Sequence, residues 1–453
     1  MAGLVLFLME SNLEVPMVIV PGARDQPGNA PRAESSGIAQ TIPMKNIRAT
    51  ALVSVVQHCA QAQSMQKCLT QIRASIHQNS VVSPAIDLIE SAGLNPLFGN
   101  VEFGSACVSQ VGTEGVKRME SLKLYFHGIE VTVISNCPRV LEYLARDFEV
   151  FCASSDHVEQ TIEINAQQGE FDRSLIRGLP FLVHLGGKAF GWGDERWVDY
   201  GSALLQYRAS QQTGRVQAPE FSPLYHYTYY LIISTLGVAM DRMGMHRFHS
   251  VGIVCHGQSA LLTMPVGGGK STLAMQLLDD PDVSLISEDT PLIGARGIVL
   301  PFPIRISLRE THRVSISEDR FRIKNDPVFG KKFLLDLSHF GLSRCLTKEM
   351  PTHFIFRAYK TDLEFPEILA EPRWKSLLRL LISIGLGQDC PQRAEMVLRL
   401  SPAGIWEVAN TLWRRLNSAF GLWRRAECYR FMMTTDIRKN AEFLKAFLAK
   451  RIA

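Results

Sequence analysis

The chain has 453 residues, 46% hydrophobic and 20% charged, with 48 Lys and Arg against 44 Asp and Glu for a formal net charge of +4. That length accommodates two or three domains with a sizeable core, and so small a charge surplus gives no footing for a nucleic-acid partner. The nine cysteines stand singly, with no C-x-x-C and no histidine pair at ligand spacing, so reduced thiols in a cytoplasmic protein are expected rather than disulfides or zinc.

Residues 1–43 mix Pro16, Pro21, Pro27, Pro31 and Pro43 with Gly22, Gly28 and Gly37, which predicts a poorly ordered leader. Its apolar start lacks a preceding basic residue and meets Glu10, so no signal peptide is expected. A helical segment is expected over 44–117, with apolar positions at helical spacing in 46–77 and a shorter helix at 83–92. A mixed β domain is expected over 118–210. It begins with a hairpin around Gly128, continues with a helix at 138–148, and has strands at 158–164 and 180–185. Trp192 and Trp197 flank turns there and read as packing residues.

The remainder, 211–453, is expected to form the core domain. A helix at 223–243 carries Tyr225, Tyr227, Tyr229 and Tyr230 at packing spacing, and its apolar stretch is shorter than the roughly 18 residues of a membrane span. Strands at 248–255 and 259–263, joined through Gly257, predict an antiparallel hairpin. The hairpin leads into Met264-Pro265-Val266-Gly267-Gly268-Gly269-Lys270-Ser271-Thr272, followed by a helix-forming run. Strand, glycine turn and helix make this a phosphate-binding loop. Three consecutive glycines let backbone N–H groups close on phosphate oxygens, and the helix start adds its positive dipole end. Lys270 is placed to reach the β- and γ-phosphates of ATP, and the Ser271 hydroxyl to ligate Mg²⁺. Met264 stands where the usual motif has its first glycine.

One helix later, the apolar strand 283–286 runs into Ser287-Glu288-Asp289, where an acidic pair can hold Mg²⁺ and orient a nucleophile. Arg305, after Phe302-Pro303-Ile304, is a candidate phosphate or nucleotide contact. Residues 309–348 read as a charged, solvated connection, and Arg414, Arg415, Arg424 and Arg425 as a solvated basic face. Helices at 373–384 and 402–419, a strand at 428–433 and a last helix capped by Asp436 complete the chain.

The stretch 249–308 resembles the catalytic core of the HPr kinase/phosphorylase family, whose fold is related to PEP carboxykinase. The resemblance rests on His249, 15 residues before Met264, on Gly267, Gly269, Lys270 and Ser271, and on Glu288-Asp289 in place of two aspartates. Ser250 stands where the family has glycine, and the family's downstream signature loop has no counterpart. The resemblance implies an α/β (mixed α+β) fold with a P-loop kinase core behind an N-terminal helical and mixed β region. It implies an enzyme that uses ATP and Mg²⁺ to phosphorylate a Ser or Thr hydroxyl of a peptide or protein, with self-association as in relatives. In that reading Val266, Gly267, Gly268, Gly269, Lys270, Ser271, Thr272 and Arg305 bind nucleotide, Ser271 and Asp289 hold the metal, Glu288 is the general base, and His249 lies near the γ-phosphate. Two alternatives remain: a small-molecule kinase acting on a sugar or amino acid, and a nucleotide-binding scaffold with decayed catalysis.

Overall fold

The computed structural model describes residues 17–19, 39–41, 108–111, 119–153, 157–184, 187–265, 268–308, 316, 320–326, 330–385, 395, 398 and 402–451. The chain divides into two units, Met1–Glu102 and Phe103–Ala453. In the first, Met17–Ile19 pairs in parallel with Ala39–Thr41. The rest of the expected leader, and the helices expected at 46–77 and 83–92, lie outside the described residues.

The second unit is mixed α+β and begins with a nine-stranded sheet. Its strands are β1 (Val108–Val111), β2 (Met119–Phe126), β3 (Ile129–Ser135), β4 (Gln160–Gln168), β5 (Phe181–His184), β6 (Lys188–Trp192), β7 (Glu195–Asp199), β8 (Leu204–Arg208) and β9 (Thr213–Ala218). They lie side by side in the order β1-β2-β3-β4-β9-β8-β7-β6-β5. The expected hairpin is β2 and β3, turned at His127 and Gly128 with φ of 47° and 86°. The left-handed pair suits the right-handed twist of the flanking strands. The sheet extends past the boundaries drawn from sequence at both ends, because β1 and β9 complete its hydrogen bonding. Trp197 is buried against Ile176 and Leu204, as a packing residue.

Two helices cover this sheet: α1 (Pro138–Asp147), with Pro at its first position, and α2 (Phe221–Arg242). Leu124, Val131, Ile164 and Val216 meet Leu141, Leu231 and Leu236 in one core.

The second sheet holds β10 (Val251–Cys255), β11 (Gln258–Thr263), β12 (Val283–Ser287), β16 (Phe354–Lys360), β17 (Glu367–Ala370) and β18 (Glu427–Met433), in the order β12-β10-β11-β16-β18-β17. Between β12 and β16 the chain forms a three-stranded sheet of β13 (Ile306–Leu308), β14 (Arg322–Asp326) and β15 (Gly330–Leu335). Strands β10 and β11 are antiparallel, as expected, while β11, β16 and β18 run parallel. Side chains alternate across the sheet. Ala260, Leu262, Phe354 and Phe356 pack toward α3 (Lys270–Leu278) and α6 (Ile437–Ala449). Leu261 and Ile355 pack on the opposite face with Leu380 of α4 (Arg373–Leu380) and Ala419 and Leu422 of α5 (Pro402–Arg425). This two-residue period is what one strand buried on both faces requires. Asp436 caps α6 by accepting from the backbone N–H of Arg438 and Lys439.

Two expectations fail here. Residues 309–348 are not merely a solvated connection: Ile323 and Phe333 pair across a hairpin, and Phe321, Leu334 and Leu335 are buried. Arg415 is not on a solvated face either. It is buried and donates to both carboxylate oxygens of Asp241, at 3.0 Å and 2.5 Å, because α5 lies across the end of α2. Among the described residues, no helix is long and apolar enough to cross a membrane. The described cysteines Cys137, Cys152, Cys255, Cys345 and Cys428 are all free thiols.

Candidate active site

The glycine loop leaves β11 and enters α3. Met264, the residue in place of the motif's first glycine, directly follows β11 and is buried in the same core cluster as Leu262 and Leu273, so it packs instead of making the turn. The turn itself closes through Gly268, whose N–H donates to Pro265 O at 2.9 Å. A Cβ on Gly268 would lie 2.8 Å from that same oxygen, and Gly269 has φ of 96°; both positions therefore need glycine. Val266 and Gly267 lie outside the described residues. Ser271 and Thr272 sit half-buried in the first turn of α3, where orphan N–H groups and the dipole favour an anion.

Strand β12 delivers the acidic pair to this loop. Its register against β10 skips Ile286 between Gly252 and Ile253, a bulge that re-aims the following side chains. Backbone bonds from Phe248 N to Pro291 O and from Ser250 N to Asp289 O, each 3.0 Å, then clamp the carboxylate segment to the start of the hairpin. The Ser250 N–H bond holds the backbone of Asp289.

Five of the candidate residues meet in two groups. The ammonium of Lys270 donates to His249 Nε2 at 2.6 Å and lies 3.4 Å from Met264 O. Because an ammonium has no lone pair, Nε2 is the acceptor and the ring proton belongs on Nδ1. That nitrogen lies 3.1 Å from Asp289 Oδ1, so its N–H dipole faces the carboxylate though it is not aligned as a hydrogen bond. The Ser271 hydroxyl donates to Glu288 Oε1. Serine and glutamate thus form one contact, and lysine, histidine and aspartate the other.

The two carboxyls differ sharply. Glu288 is buried, and desolvation first, then the Asp289 charge, push its pKa up to about 8, against the opposing pull of Ser271, Lys270 and Arg305. Asp289 keeps 36% of its side chain accessible. Burial works to raise it too, but His249 and Lys270 outweigh that and hold its carboxyl below the ordinary range.

Arg305 is buried beneath the site. Its guanidinium lies 2.9 Å from Asp147 Oδ2 and stacks on Tyr229 at 3.9 Å from the ring centre. Its charge still reaches Glu288.

Two further cations went unread as site residues. A Cβ on Gly269 would lie 3.8 Å from Lys360 Nζ, so this lysine overhangs the loop. Lys332, on β15, acts on the Asp289 carboxylate through its charge. The available signal for Lys360 was only its place at the C-terminal end of a parallel strand, where ligands gather in α/β sheets. The donor chemistry suits Mg²⁺: Ser271 Oγ and two carboxylates are hard oxygen ligands, and Mg²⁺ takes one or two carboxylates plus substrate phosphates and water. Among the described residues, no three His, Cys, Asp or Glu side chains cluster to hold a metal alone.

No protein-family model matches the chain. No curated protein matches it significantly either. Among solved structures it is similar to the Hpr(Ser) kinase/phosphatase from Coxiella burnetii, at 18% identity over 28% of this chain and 76% of that one. The TM-score is 0.17, too low to transfer activity or substrate.

Proposed function

We propose that the chain is an ATP-dependent kinase that transfers the γ-phosphoryl group to a Ser or Thr hydroxyl of a peptide or protein. The observation that carries this reading is the convergence of an adjacent acidic pair, Glu288 and Asp289, on a glycine turn already holding Lys270 and Ser271. A bare anion-binding turn has no use for two carboxylates at its mouth, since each repels phosphate. A phosphoryl-transfer site needs both, one to hold a metal and one to receive the acceptor's proton.

The contacts favour a division of roles different from the one expected from the motif. Ser271 and Glu288 would hold Mg²⁺, whose chemistry when bound is to neutralise charge between the β- and γ-phosphates. Asp289, more open to solvent and oriented by the His249 ring, would accept the hydroxyl proton as the oxygen attacks. Lys270 would exchange its His249 contact for phosphate oxygens, and the N–H groups opening α3 would neutralise charge growing on the transferred group. His249 would then be a positioning residue for both Lys270 and Asp289.

The test is incubation with γ-labelled ATP and Mg²⁺ in the presence of candidate peptides. Label should appear on a peptide hydroxyl with the native chain and vanish with Lys270→Ala. Tight ATP binding with no transfer to any peptide, sugar or amino acid would instead establish a nucleotide-binding scaffold.

A further inference from the structure

A cavity of about 740 Å³ opens between the end of α2, the turn Ala295–Gly297 and the last turns of α5, and none of the phosphate-loop residues line it. Its wall carries Arg296, Arg414, Arg424 and Arg425, with no carboxylate among the lining residues. Such a wall attracts anions, and guanidinium forks match phosphate oxygens in particular. The volume falls in the range of small-molecule sites, about 300–1,000 Å³.

Part of this charge has a simpler explanation. Arg424 and Arg425 end α5, where cations offset the helix dipole, and Arg414 donates to Arg242 O at 2.5 Å. Two observations go further. Arg296 comes from the opposite wall in a left-handed conformation, φ 57° and ψ 24°, uncommon for a residue with a side chain. Its turn is pressed backbone to backbone onto α5: a Cβ on Gly297 would lie 2.7 Å from Gly421 O, and one on Gly421 would lie 3.0 Å from Arg296 Cα. Glycines on both sides thus bring Arg296 to the same cavity as the helix arginines.

His246 supplies the second observation. It is 1% exposed and lines the cavity; its Nδ1 is held by Asp241 Oδ1 at 2.7 Å, while Nε2 has no hydrogen-bond partner. A buried polar atom without a partner is costly, and at a cavity wall it invites a ligand atom. Asp241 is itself bonded by Arg415, so the ring is fixed from behind.

We propose that this cavity is a second anion site, taking a small phosphate-bearing ligand whose ionised oxygens accept from the arginines and whose P–OH or other hydroxyl donates to His246 Nε2, with Phe420 offering an apolar face to the remainder. A small molecule fits better than a macromolecule because part of the recognition lies on a buried ring nitrogen.

The test stands apart from the kinase reading. The full chain carrying Lys270→Ala, which disables the loop, is titrated calorimetrically with pyrophosphate. Binding of one pyrophosphate per chain is expected, with at least tenfold weakening when Arg296→Ala and Arg424→Ala are added, and several-fold weakening with His246→Ala. Arg424→Glu alone, at an exposed helix position, gives the same reading if the combined variant melts early. No heat at millimolar pyrophosphate, or an affinity indifferent to the arginine changes, would overturn the proposal.

Discussion

Two buried charge clusters within one unit of the molecule are built on opposite logic. Beneath the site, Asp147 is saturated: Tyr225 donates to it at 2.5 Å, Arg322 at 2.9 Å, and the Arg305 guanidinium lies 2.9 Å away. Arg322 also reaches Asp336, which Arg146 meets at 2.7 Å, so positive and negative groups alternate and every carboxylate has a cation. At the phosphate loop, like charges sit side by side in Glu288 and Asp289, one carboxyl is driven up to about 8, and Lys270 is occupied by a histidine. The first arrangement holds α1 to β14 and β15 and fixes shape. The second leaves groups with unmet electrostatic demand at an open mouth, the pattern that perturbed groups take in functional sites.

The difference is sharpest when each cluster is broken. Asp147→Ala should cost about 3–5 kcal/mol in urea unfolding, because Arg305 and Arg322 would be left buried and unpaired. Changes at the loop should move chemistry and pH response instead. If Glu288 must lose its proton to ligate Mg²⁺, the apparent Mg²⁺ affinity at fixed ATP falls as pH drops below about 8, approaching roughly tenfold per unit. A pH-independent affinity would remove Glu288 from the metal site.

The same carboxyl gives a stability signature. Its folded pKa of about 8 lies above the ordinary 4.5, so the stability it contributes is fully present below about 4.5 and is lost as pH rises to about 8. Glu288→Gln should flatten that dependence and stabilise the ligand-free chain by about 1–3 kcal/mol at pH 8.5, read by thermal melting across pH. The smallest effect belongs to a residue in neither cluster: Asp436→Ala removes the α6 cap and should cost about 1 kcal/mol.

How much of this was legible depends on whether the signal was local. The loop, the hairpin before it and the strand ending at Glu288 are each short runs whose glycine or apolar spacing states the element directly. Asp436 was readable as a cap for the same reason. The pairing of Ser271 with Glu288 and of Asp289 with His249 was not, since it turns on a bulge at Ile286 that no residue type announces. Arg305 looked like a nucleotide contact and Arg415 like a surface charge because their partners, Asp147 and Asp241, lie far off in sequence on other helices. Lys360 was invisible until β16 was paired with β11 in parallel, with Thr263 against Arg357.

The division of labour between the two loop carboxylates is tested most directly by γ-labelled transfer with Asp289→Asn, measured alongside Mg²⁺·ATP affinity. Loss of about 10²–10⁴-fold in transfer, with affinity nearly unchanged, is the predicted result. Transfer at the native rate by Asp289→Asn would contradict the account.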